Sequence, residues 1–119
     1  MTEALIRAKA KIILSTEGWY VWCPQKARWG QERDVFGVFD AVALKERQVR
    51  WIQWTVKEAA SSHRKKIADF LHEKNIRPPG LIELWLWDNK KREFKIESIS
   101  KLDPHLTNKV NRVISKEGT

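Results

Sequence analysis

Apolar positions recur at helical spacing through residues 3–15, where Leu5, Ile6, Ala8, Ile12 and Ile13 share one side and Arg7, Lys9 and Lys11 lie elsewhere. This pattern predicts an amphipathic helix that stops near Gly18. WYVWC (19–23) is aromatic and β-branched, a strand pattern, and Pro24 ends it before the basic loop QKARWGQER. VFGVFDAVAL (35–44) is almost continuously apolar and predicts a central strand covered on both faces, with Gly37 marking a bulge or a close backbone approach. KERQ is a polar turn, and VRWIQWT (49–55) returns as the next strand of a hairpin. Val56, Ala60, His63, Ile67, Phe70 and Leu71 resume helical spacing until Lys74, and IRPPG breaks it. LIELWLW (81–87), the turn DNKK and REFKIESI (92–99) form a second strand pair. Its last member, with Lys95 and Glu97 beside Ile96, reads as a half-exposed edge. Asp103-Pro104 followed by Leu106, Val110, Val113 and Ile114 predicts a short final helix.

The order α-β-β-β-α-β-β describes an α+β domain spanning residues 1–119, with a central mixed sheet and helices flanking it in a three-layer-like arrangement. An apolar content of 42% is too high for a disordered chain. Cys23 has no second cysteine to pair with, which points to a reducing, cytoplasmic setting. The N-terminal residues carry scattered charges and no uninterrupted apolar core, the pattern of neither a signal peptide nor a membrane span. With three scattered histidines and one cysteine there is no zinc-site spacing; His63, on the apolar helix face, reads as a satisfied core histidine. Gly30 and Gly37 make no phosphate loop. The net charge of +8 selects for polyanions, of which nucleic acid is the commonest in a cell.

The chemistry concentrates in DVFGVFDAVALKERQVRWIQWT (34–55). A turn centred on Glu46 and Arg47 places Asp40 roughly opposite Gln53, and period-two alternation puts Thr55 on the same face as Gln53. An acid inside an apolar run needs a partner, and Mg²⁺ is a partner that takes hard oxygen ligands from one or two carboxylates, waters and substrate phosphate. Asp34 lies in the preceding loop and serves as an auxiliary acid. Thr55 is at home in any strand, and Arg64, Lys65 and Lys66 also suit a solvated helix face. Lys26, Arg28 and Arg33 sit in the basic loop, placed for phosphate contacts or for water.

Phe39-Asp40 followed by Gln53-Trp54-Thr55 resembles the PD-(D/E)XK nuclease superfamily, which includes Holliday-junction resolvases and many restriction endonucleases, in a variant with Gln-x-Thr at the second motif. The resemblance covers roughly residues 3–87 and implies a restriction-endonuclease-like core, α-β-β-β-α-β. It also implies Mg²⁺- or Mn²⁺-dependent cleavage of DNA phosphodiester bonds, branched DNA among the substrates, and compatibility with a homodimer. Residue by residue, it implies a metal held by Asp40, Gln53, Asp34 and Glu3, with Asp40, Gln53, Thr55, Lys57 and Lys66 serving cleavage. Lys57 or Lys66 would supply the charge that Thr55 lacks, and Lys26, Arg28, Arg33, Arg64 and Lys65 would hold nucleic acid. Alternative readings are a DNA-binding module that has lost catalysis, or a subunit of a larger nucleic-acid-processing assembly.

Overall fold

The computed structural model describes residues 2–24, 34–75, 77–99 and the strand 107–115. Helix α1 (Glu3–Thr16) begins where the Thr2 hydroxyl accepts from the Leu5 N–H (3.2 Å), and it buries Ile6, Ala10, Ile13 and Leu14. Strands β1 (Tyr20–Trp22), β2 (Ala41–Lys45) and β3 (Gln48–Val56) follow. A single 3₁₀ turn (Lys57–Ala59) leads into helix α2 (Ala60–Lys74), which ends at Asn75 in the left-handed conformation (φ 50°). Strands β4 (Leu81–Asp88), β5 (Glu93–Ile99) and β6 (Thr107–Ser115) complete one mixed sheet of order β1-β2-β3-β4-β5-β6. β3 and β4 run parallel, joined by the α2 crossover, and the other neighbours are antiparallel.

Alternation divides the strands between two cores. Ala41, Ala43, Ile52, Trp54, Trp85, Trp87, Phe94 and Ile96 face α1, whereas Ile82, Leu84 and Leu86 face Ile67, Phe70 and Leu71 of α2. LIELWLW is a strand buried on both faces, and its tryptophans are core. No helix among the described residues is long and apolar enough to cross a membrane.

Three expectations need correction. Residues 35–39 are not the first half of a strand. Phe36 and Gly37 both take positive φ (56° and 72°), Gly37 N–H closes a turn onto Asp34 O (3.1 Å), and Val35 bridges back to Phe39. The apolar run folds on itself, tucking Val38 and Phe39 under α2, and nothing crowds Gly37. β5 is no edge, because β6 pairs along it and Glu97 is buried. Finally, Thr107–Ser115 is that sixth strand rather than a helix.

The β4–β5 turn is fixed by Asp88, whose Oδ1 accepts from the N–H groups of Lys90 (3.0 Å) and Lys91 (3.1 Å). Gly80 has φ +96°, and a Cβ there would collide with the carbonyl oxygen of Val49 at the start of β3. Gly80→Ala therefore combines backbone strain with a clash, and we expect a loss of at least about 2 kcal/mol in urea unfolding. An unchanged midpoint would show that this approach is not a constraint.

Candidate functional site

The hairpin turn falls at Glu46 and Arg47, with Lys45 paired to Gln48 and Ala41 to Ile52, so the next step outward brings Asp40 level with Gln53. The ladder is perturbed there. Asp40 N–H donates to the carbonyl of Ile52 (2.8 Å), the residue opposite Ala41 at the end of the ladder. Beyond it the chain leaves the sheet. The Asp40 Oδ2 atom accepts from the Trp54 N–H (2.8 Å), standing in for the backbone carbonyl that a continuing strand would have offered.

Burial pushes the Asp40 carboxyl up to about 7. The hydrogen bond from Trp54 opposes this; the negative charges of Asp34 and Glu3 add to it, and Lys66 offsets part. Glu3 of α1, Asp34 of the 34–39 turn and Lys66 of α2 thus each act electrostatically on Asp40, at the end of β2. Lys66 Nζ lies 3.3 Å from Asp34 Oδ2, which holds the ammonium on this side of α2. Gln53 is buried on the α2 face between Trp51 and Thr55, and its Oε1 has no hydrogen-bond partner. A buried carbonyl oxygen without a donor costs roughly 1–3 kcal/mol.

Other sequence-derived candidates are engaged elsewhere. Lys57 does not reach back toward Asp40, because its Nζ approaches Asp88 Oδ2 (3.4 Å) at the end of β4. Arg64 makes two hydrogen bonds to Glu97 of β5 (3.0 and 2.9 Å), so it clips α2 to the sheet. Lys65 is exposed and pairs with Asp69 one helical turn on (2.7 Å). His63 accounts for its ring nitrogen against Ala59 O (3.0 Å), as a satisfied histidine should. Thr55 is half-buried on the face of Gln53. Lys26, Arg28 and Arg33 lie outside the described residues.

The sequence reading missed the α1 contribution beyond Glu3. The Cys23 thiol is pushed up by burial, opposed by the charges of Lys11 and Arg7, and raised further by Asp40. Arg7 and Lys11 of α1 and Asp40 thus all lie within electrostatic reach of Cys23. The i, i+4 spacing of Arg7 and Lys11 is the signal that could have found them. A cavity of about 710 Å³ lies toward the other end of the α1 face, lined by Glu17, Trp19, Lys45, Arg50 and Glu83 among others, away from Asp40.

Among the described residues, no group of three or more His, Cys, Asp or Glu side chains is placed to hold a metal ion, so Asp40, Asp34 and Glu3 do not converge as the resemblance implies. What stands near the end of β2 is one buried carboxylate, Asp40, that feels the charges of Asp34 and Glu3, with the unpartnered Gln53 oxygen on the neighbouring strand. Carboxylate and amide oxygens are the hard donors Mg²⁺ takes alongside waters and phosphate. The chain matches no protein-family model, no curated protein and no solved structure.

Proposed function

We propose that this chain is a divalent-metal-dependent endonuclease-like protein acting on DNA phosphodiester bonds, on a PD-(D/E)XK core. Its support in the fold is the α-β-β-β-α-β order, with two antiparallel steps, then a parallel β3–β4 step across α2. The observation that carries the reading is a buried Asp40, its carboxyl pushed up to about 7, beside the strand that carries the unpartnered Gln53 oxygen.

In this reading Asp40 and Gln53 would hold Mg²⁺, with Glu3 or Asp34 adding negative charge nearby. The bound ion supplies Lewis-acid polarisation of the phosphate and a lowered pKa for attacking water. Lys66, kept in place by Asp34, neutralises charge that develops on the phosphoryl oxygens. Arg7 and Lys11 attract the backbone of the incoming strand. The negative charges of Asp34 and Glu3, which add to the proton affinity of Asp40, would also favour a cation there.

Nicking of branched and linear DNA with Mg²⁺ or Mn²⁺ tests this directly. Asp40→Asn and Lys66→Ala are each expected to lower the rate by about 10²-fold or more, an oxyanion-donor scale of loss. Lys57→Ala should stay within about twofold, because Lys57 is occupied by Asp88. Equal cleavage by wild type and Asp40→Asn would end the mechanism. A second reading, a DNA-binding module without catalysis, is favoured by Thr55 standing where a lysine is expected. It predicts salt-sensitive binding that Mg²⁺ does not tighten.

A further inference from the structure

Val21 of β1 packs into the α1-side core, so Tyr20 and Trp22 point to the opposite face of the sheet, where they are 69% and 52% exposed. Their cross-strand partners are Leu44, itself 45% exposed, and Val42, and Val42 in turn pairs with Trp51. Phe36, 63% exposed, continues the row with its ring centroid 5.7 Å from Trp51. Helix α2 packs over β3 and β4, leaving the β1–β2 half of this face beside it. An aromatic row thus runs from the edge strand across the sheet to Phe36, two residues from the Asp34 that holds Lys66. Contiguous exposed aromatic surface of this kind marks a binding site on a soluble protein.

The chemistry selects the occupant. Flat side chains spaced two residues apart on a strand offer π faces, and the chain carries a net charge of +8. A second copy would bring the same +8 against it, and β1, only Tyr20–Trp22, is too short an edge to pair well. Single-stranded nucleic acid supplies both complements, unpaired bases to stack and phosphates to neutralise. A duplex keeps its bases stacked inside and supplies only phosphates. We infer that the exposed face of β1 and β2 is a stacking platform for unpaired bases, led by Trp22 and Tyr20, which binds single-stranded nucleic acid. The platform stands on this surface alone; its role in feeding a strand toward Asp40 rests on the endonuclease reading.

The test is fluorescence anisotropy at low salt in EDTA, with a labelled oligothymidylate and a duplex of equal length. Trp22→Ala should weaken single-strand binding about tenfold, Trp22→Phe should restore most of it, and duplex affinity should move less than about twofold. Single-strand affinity unmoved by both Trp22→Ala and Tyr20→Ala would overturn the platform. So would equal losses for single strand and duplex, or a dimer in sedimentation that Trp22→Ala dissociates. Trp22-dependent binding by a protein that cleaves nothing would sink the nuclease reading and leave the platform standing.

Discussion

Asp40→Asn is expected to stabilise the metal-free protein at pH 8 by about 2–4 kcal/mol while leaving its stability at pH 3.5 unchanged. The carboxyl is raised from 3.8 to about 7 in the folded chain, so between those values the folded state binds the proton that the unfolded state has released. Stability therefore falls as pH rises through this window, at up to about 1.4 kcal/mol per pH unit for this one group, and stays low above it. Asparagine keeps an oxygen to accept from the Trp54 N–H but carries no charge to desolvate or to repel Asp34 and Glu3. Urea unfolding in EDTA across pH 3.5–8.5, taken as the difference between variant and wild type, isolates the effect from every other titrating group. A difference that does not vary with pH would mean that Asp40 is solvated. Adding Mg²⁺ at pH 8 should raise the wild-type melting temperature and not that of the variant, a readout of metal independent of cleavage.

Arg50→Met should cost about 3–5 kcal/mol, since Arg50 and Glu83 form an ion pair that is almost wholly buried, at 2% and 5% exposure. Two guanidinium nitrogens reach Glu83 Oε1 (2.8 and 2.5 Å), and Trp85 Nε1 donates to the same oxygen (3.0 Å). The guanidinium lies against the rings of Trp19 and Trp85, 4.9 and 5.3 Å from their centroids. Removing the cation strands a carboxylate in an apolar layer, and most of the loss comes from that charge. The paired change Arg50→Met with Glu83→Leu should recover much of it, and Arg50→Lys should recover little because an ammonium lacks the fork. A single variant within about 1 kcal/mol of wild type would show that water reaches the pair.

Helical and alternating periodicities located α1, α2 and β1 to β5, because each of those elements buries a stripe that its own spacing records. VFGVF misled for a physical reason. A buried turn and a buried strand are equally apolar, and only Asp34 and Gly37 at turn spacing mark the reversal. Residues 106–114 carry apolar positions that fit a helix, yet Thr107, Val110, Val113 and Ile114 are β-branched and the free edge of β5 accepts them as a ladder. Within the site, the hairpin turn at Glu46 and Arg47 was legible, and it sets Asp40 just beyond the last paired residue, Ala41, against the Ile52 carbonyl and the Trp54 N–H. Which cation would serve the site was not legible, because Lys57 and Arg64 are claimed by Asp88 and Glu97, acids far away in the chain.

The single parallel step among the described strand pairs orders the assembly of the molecule in time. Short turns close β2 on β3 and β4 on β5, so each hairpin can zip from near neighbours, whereas β3 finds β4 only once the intervening helix has crossed the sheet. Asp40 and Gln53 thus share a folding unit that precedes the arrival of Lys66. On the proposed reading, the oxygens of Asp40 and Gln53 would be set before Lys66 arrives, and a divalent ion present during refolding would meet the hairpin before the helix does.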